Sequence, residues 1–332
     1  MNLGEPNFTA VLLHRAMARL KGGFVMSYQN AEERQDLLWY LRAHYAPKRL
    51  NLSPDAEEQL AVAVRRLSAY AGHPVVPREL SKDLLIRWLK SLADAGQAAA
   101  TINGKRAAIL SLWEAAHEDG TAPPMPKRKE IPIKRKPRRL PNSWTVPQMQ
   151  AIINSCRSVD GIFRFSGILR ADFLESLVLF EYETGSRLAA ALRVQPQDLN
   201  FVTKTVYLRW ESAKTGIEQV HWLSDGTLEA IKKIWDPNRS YIWPWGSNRN
   251  CLWDALKRVL RHAGLRSDRR SMFHRFRRTT ATLLTGKLGL SAASAALGHT
   301  SEETTRRSYV DPTNLPGARL VDHLPPLRSS SG

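Results

Sequence analysis

The sequence predicts a mainly α-helical protein with a small β-sheet, divided into an all-helical N-terminal domain and an α+β C-terminal domain. Three observations predict it. Apolar residues recur at helical spacing over most of the chain. A stretch rich in proline and basic residues, 119–142, interrupts that spacing. Beyond it, one patch of β-forming residues flanks Lys214-Thr215-Gly216. A length of 332 residues suits two domains, and an apolar fraction of 43% is enough to build their cores.

The elements follow in order. Residues 1–57 form an N-terminal arm with helical patterning around Ala10–Leu20 and Glu32–Tyr45, closed by Asn51-Leu52-Ser53-Pro54. Residues 58–118 form the helical domain. Leu60, Val64, Leu67 and Ala71 lie on one helical face, and Pro74 and Pro77 stop that helix. Ser81 caps a second helix whose face is Leu85, Trp88, Leu89 and Leu92. A third places Ile102, Ile109, Leu112 and Trp113 together, with Lys105 and Arg106 off the apolar stripe, toward solvent or a phosphate backbone. The linker sets Lys127, Arg128, Lys129, Lys134, Arg135, Lys136, Arg138 and Arg139 among prolines, which suits a solvated spacer lying along phosphates.

The second domain, 143–313, opens with a capping box, Thr145 and Gln148, with Pro147 in the first turn and Met149, Ile152, Ile153 and Cys156 on the buried face. A helix near Ala171–Tyr182 runs to Thr184-Gly185. Val206-Tyr207-Leu208 and Val220-His221-Trp222 make a hairpin around the Lys-Thr-Gly turn. Helices resume at Leu228–Trp235, Leu252–Ala263, His274–Leu284, Ala292–Leu297 and Thr304–Tyr309. In the tail, 314–332, Leu320, Val321 and Leu324 can dock on an apolar groove.

Forty-nine Lys plus Arg against 31 Asp plus Glu give a net charge of +18, a field that attracts polyanions, nucleic acid first. No stretch approaches the roughly 18 apolar residues needed to cross a membrane, and the N-terminus has no secretory pattern. Cys156 and Cys251 lack metal-ligand spacing and read as reduced thiols of a cytoplasmic protein.

The candidates for chemistry are Arg187 in ETGSRLAAALRV, Lys214 at the hairpin tip, His274 and Arg277 in HRFRRTTAT, His299 in LGH, and Tyr309 ten residues later. His274 and Arg277 share a helical face at i, i+3. Singly, each has a plainer reading: a surface charge, a turn, a helix cap, a packing tyrosine. Together and in this order, the chain resembles the tyrosine recombinases, the phage-integrase family. Their pattern is an arginine after a Thr-Gly turn, a hairpin lysine, a His-x-x-Arg helix, a Leu-Gly-His turn and a tyrosine about ten residues on.

The resemblance implies an N-terminal core-binding (SAM-like) domain and an integrase-type catalytic domain that clamp double-stranded DNA. It implies breakage and rejoining through a 3′-phosphotyrosyl bond, with neither metal, ATP nor other cofactor. Arg187 and Arg277 would hold the non-bridging oxygens. His274 and His299 would donate to them or help move a proton, Lys214 would be the general acid, and Tyr309 the nucleophile. The DNA-binding residues would be Lys105 and Arg106 with the eight linker cations. A homotetramer on paired DNA sites is implied, linked through the tail, with room for accessory DNA-bending proteins and a location on the nucleoid in a bacterium. One position departs from the family: Ala190 stands where an acidic residue is common, three after the first arginine. Arg275 and Arg278 are alternative clamp arginines, and Lys204 and Lys287 alternative lysines. The competing readings are a type IB topoisomerase, which shares the chemistry, and a catalytically silent DNA-binding regulator; an RNA- or membrane-binding module is more remote.

Overall fold

The computed structural model describes residues 35–135, 137, 140–210, 216–246, 250–268 and 272–315, and the chain divides into two compact units, the first ending at Pro137. Lys214, Lys136, Arg138, Arg139, the helical pattern at Ala10–Leu20 and the tail residues Leu320, Val321 and Leu324 lie outside the described residues.

The first unit is all helical. α1 (Leu37–Tyr40) runs on as a π-helical turn to Tyr45, and α2 (Pro54–Ala71), α3 (Lys82–Asp94) and α4 (Ala99–Glu118) follow. The caps are those the sequence supplies: Ser53 Oγ accepts from the Ala56 amide and Ser81 Oγ from the Leu84 amide. One core gathers Val64 and Leu67 of α2, Leu85, Trp88 and Leu89 of α3, and Ile102, Ile109, Leu112 and Trp113 of α4. The core also takes in Leu37, Tyr40, Leu41 and Tyr45, so the described end of the expected arm packs as part of this domain. The Tyr40 hydroxyl donates to Asp119 at 2.7 Å, tying α1 to the end of α4.

The linker differs from the expected solvated spacer. Up to residue 135 it is bound to the first unit. Ile131 is buried in the core, Trp113 Nε1 donates to the Pro123 carbonyl at 2.9 Å, and Asn103 brackets Lys134 with two hydrogen bonds. Arg106 makes the largest correction. It is 8% exposed, and its guanidinium donates to the carbonyls of Ile131 and Arg128. Two prolines within 130–137 and the turn before them leave carbonyls without helical partners, and a buried carbonyl needs a donor. Arg106 supplies it, which removes this residue from the set facing phosphate.

The second unit surrounds one buried helix. α5 (Val146–Cys156) begins at the capping box: Thr145 Oγ1 accepts from the Gln148 amide and Gln148 Oε1 from the Thr145 amide. α6 (Arg170–Thr184) buries residues on every side, among them Phe173, Leu174, Leu177, Val178 and Phe180. α5, α8 (Asp225–Lys232) and α10 (His274–Leu288) cover it, as a helix with buried residues on every side requires. A hairpin of two short strands, β1 (Ile162–Phe163) and β2 (Ile168–Leu169), precedes α6; the sequence reading expected one sheet. After the short α7 (Leu188–Ala191) comes the expected sheet, in antiparallel order β3 (Leu199–Asn200), β4 (Thr205–Leu208), β5 (Gln219–Trp222). Its register pairs Val206 with His221 and Leu208 with Gln219, which turns His221 and Gln219 toward the helices and Val220 and Trp222 outward. α9 (Asn250–His262), α11 (Leu290–Ala296) and α12 (Glu302–Ser308) complete the unit.

Candidate active site

Three chain segments meet around one guanidinium. α6 ends at Gly185, whose left-handed φ of +59° turns the chain so that its carbonyl faces α10. A side chain there would collide: a Cβ would lie 2.5 Å from Leu297 Cδ2 and 3.2 Å from Thr280 Cγ2. From α10, Arg277 reaches across with only 2% exposure. It donates to the Gly185 carbonyl, to the Leu297 carbonyl at 2.7 Å, and to His299 Nε2 at 2.8 Å. So the Thr-Gly turn, the His-x-x-Arg helix and the Leu-Gly-His turn are fastened by one residue. Its buried Nε has no hydrogen-bond partner among the described residues.

That geometry fixes the protonation state of His299. Arginine is always the donor, so Nε2 accepts and carries no proton. Nδ1 therefore holds it and donates to Thr305 Oγ1 at 2.6 Å. Desolvation, then Arg277, Arg187 and His274, push the His299 imidazole down to about 4. His274 is also pushed to about 4, by desolvation and by Arg278, Arg277 and Arg187, although the residue is exposed at the site's surface. Both imidazoles are neutral at pH 7. Arg187 stands half-buried at the N-cap of α7, close enough that its charge acts on both histidines and on Arg277. Burial and that repulsion hold the Arg277 guanidinium down at about 10, against the attraction of Tyr309 and Glu181.

Tyr309 follows the last turn of α12 and is 6% exposed. Its ring centre lies 4.5 Å from that of His299 and 5.0 Å from that of His274, and the Arg277 Cζ lies 5.2 Å from it. The structure thus brings together Arg187, His274, Arg277, His299 and Tyr309. Lys214 lies outside the described residues, but the stem of its hairpin does not: Gln219 Nε2 donates to the Ala296 carbonyl at 2.8 Å, so β5 starts beside the turn that bears His299. The alternative arginines are engaged elsewhere. Arg275 donates to the Ser143 carbonyl and lies 3.4 Å from the centre of the Trp144 ring; Arg278 bridges Asn142 and the Ser308 carbonyl. Lys204 pairs with Asp225. Among the described residues no group of His, Cys, Asp or Glu is arranged to hold a metal.

Two residues under the site escaped the sequence reading. Glu181, one helical turn before Gly185, is 1% exposed, and neither carboxyl oxygen meets a donor among the described residues. Burial holds its carboxyl well above the usual range, with Arg277 working against it. His221 of β5 is pushed down to about 4 by desolvation and then by Arg277, with its buried Nε2 lacking a partner among the described residues. A place one helical turn before the Thr-Gly turn is the one signal that could have singled out the first. Ala190, where the resembled family carries an acid, is buried and apolar, so the carboxyl that interacts with Arg277 from beneath the site is Glu181, held in its protonated form by burial.

A family model for the phage integrase family matches residues 147–314, half of the chain and every segment of this site. The chain belongs to the phage integrase family. This integrase-family protein is therefore a tyrosine recombinase. Solved structures share its fold. A lambda integrase(75-356) dimer bound to a COC′ core site superposes with a TM-score of 0.62 at 17% identity, covering 82% of this chain and 94% of that one. The XerH site-specific recombinase bound to a palindromic difH substrate, a post-cleavage complex, gives 0.60 at 18% identity, covering 80% and 78%. A lambda integrase tetramer bound to a Holliday junction gives 0.60 at 16%, covering 91% and 90%. Among curated proteins, none matches the sequence of this recombinase. Among its described residues no helix is long and apolar enough to cross a membrane.

Proposed function

We propose that this recombinase cleaves and rejoins double-stranded DNA at specific sites through a 3′-phosphotyrosyl bond to Tyr309, without metal or ATP. The observation that carries the reading is the enclosure of the Tyr309 ring by His274, His299 and Arg277, with the charge of Arg187 acting on the same groups. A phosphodiester must gain negative charge on its non-bridging oxygens as it is attacked, and cationic forks fixed beforehand stabilise that charge. Arg187 and Arg277 are those forks.

The phosphate competes with His299 for the Arg277 guanidinium and frees Nε2. Its negative charge also offsets the repulsion that keeps the imidazole neutral, so His299 takes the phenolic proton as Tyr309 Oη attacks phosphorus. The bond from phosphorus to the 5′ oxygen breaks, and Lys214 gives that oxygen its proton. The phosphate stays on Tyr309. Attack by a 5′ hydroxyl reverses each transfer and rejoins a strand, so the bond energy is conserved.

The net charge of +18 and the exposed Lys127, Arg128, Lys129, Lys134 and Arg135 support binding along the DNA backbone. The half-exposed Lys105 belongs with them; Arg106 does not. We infer a homotetramer on paired sites, a reading supported by the likeness to the lambda integrase tetramer. Nicked duplexes from DNA flanking the gene, incubated with protein in EDTA, test the proposal. It expects a covalent adduct on a denaturing gel that Tyr309→Phe abolishes. Binding without adduct across the whole library would leave the silent regulator, and relaxation of plasmids irrespective of sequence would favour the topoisomerase.

A further inference from the structure

The chain leaves helical geometry at Tyr309 (φ −124°), so among the described residues no regular element holds the nucleophile's backbone from its C-terminal side. Something else does. Thr282 of α10 donates its hydroxyl to the Tyr309 carbonyl at 3.3 Å and accepts from the Asp311 amide at 2.9 Å. The Asp311 carboxylate, 3% exposed, then reaches the opening segment of the same unit. Its Oδ2 accepts from the Ser143 amide at 2.7 Å, the Ser143 hydroxyl at 3.1 Å and Asn314 Nδ2 at 3.4 Å. Its Oδ1 accepts from the Thr313 amide at 3.0 Å and hydroxyl at 2.6 Å.

The partner side is equally fixed. The Ser143 carbonyl accepts from Arg275, the Trp144 amide donates to Thr279 Oγ1, and Arg278 joins Asn142 to the Ser308 carbonyl. Residues 275, 278, 279 and 282 follow helical spacing along one side of α10. The helix that presents His274 and Arg277 to the site thus holds, on its neighbouring side, both ends of a clasp whose centre is Asp311.

We propose that Asp311 is a positioning residue for the reaction: by clasping Ser143 it fixes the backbone two residues past Tyr309 and thereby the direction in which the phenol points. The proposal rests on Tyr309 as nucleophile. In-line attack tolerates little error, since a misplacement of about 1 Å costs on the order of a hundredfold in rate. Five donors meet this carboxylate, and an amide in its place would turn an N–H toward one set of them.

The test compares wild type, Asp311→Asn and Thr282→Val. The readouts are single-turnover adduct formation on a nicked duplex at saturating protein, the DNA dissociation constant, and amide exchange of residues 305–315. The proposal expects the saturated rate to fall about tenfold to a hundredfold in both variants. The dissociation constant should stay within about twofold, with faster exchange confined to residues 305–315 and 140–146. If Asp311→Asn does not fold, Thr282→Val, which keeps the shape of the buried side chain, decides. Saturated rates at the wild-type level, or rate and affinity falling together with melting temperature, would overturn it. A wild type that forms no adduct would instead remove the nucleophile reading. Unchanged exchange in both variants would then still refute the clasp.

Discussion

Gly185→Ala separates what the turn under the clamp does from what any left-handed turn does. An alanine at φ +59° costs about 1–2 kcal/mol for its Cβ against the following carbonyl. Here the Cβ would also lie 2.5 Å from Leu297 Cδ2 and 3.2 Å from Thr280 Cγ2. Leu297 is buried, and its carbonyl is held by Arg277, so its side chain has little room to withdraw. Overpacking of this kind costs about 1–3 kcal/mol, which brings the whole to roughly 2–5 kcal/mol. In a unit of this size each kcal/mol lowers the melting temperature by about 2–4 °C. Gly264→Ala in the same unit is the control: φ is +66°, nothing lies within 4 Å of its Cβ, and only the first cost applies. Thermal unfolding of the two variants should differ by several degrees. Gly185→Ala should also lose adduct formation, because its carbonyl is an acceptor for Arg277. Equal melting temperatures for the two variants would refute the packing argument, and full activity in Gly185→Ala would refute the coupling of turn to clamp.

Three further expectations concern the linker cations, the buried Arg106 and the buried titratable groups of the second unit. Arg135→Ala should reduce the slope of log affinity against log salt by about 0.9, as the loss of one phosphate contact does. Arg106→Ala should leave that slope unchanged and instead lower the stability of the first unit, because its guanidinium satisfies buried carbonyls; a change of slope in Arg106→Ala would put it back on the DNA. Stability of the second unit should fall as pH drops from about 6.5 toward 4, since His221, His274 and His299 at about 4 refuse protons that the unfolded chain accepts. Glu181, held protonated by burial, works the other way with one group against three. Urea midpoints at pH 7.5 and 5 measure the balance, and a midpoint that is equal or higher at pH 5 would contradict it.

What the sequence disclosed was local or ordered along the chain. The faces Leu85, Trp88, Leu89 and Ile109, Leu112, Trp113 pack as helical spacing requires, and the Thr145–Gln148 box forms as its residue types dictate. The ordered set from Arg187 to Tyr309 could be found because each motif carries its own short pattern. What stayed hidden depends on distant partners. Arg106 lies off an apolar stripe, yet carbonyls 22 and 25 residues away cover it. Ile131 enters the first core from a segment whose prolines and charges read as solvated. Ser143 and Asp311 are 168 residues apart, and nothing in either neighbourhood announces the other. Glu181 shows the same limit from inside a helix: its placement under Arg277 comes from how α6 and α10 cross, which periodicity does not specify.

The central claim is that Tyr309 makes the covalent bond to DNA. Adduct formed on a nicked duplex in EDTA, digested with nuclease and trypsin and mapped by mass spectrometry, tests it most directly. The account predicts a nucleotide 3′-phosphate on the peptide that contains Tyr309, and a free 5′ hydroxyl on the released strand. A phosphate on any other residue, or a 5′-phosphate on the released strand, would contradict it.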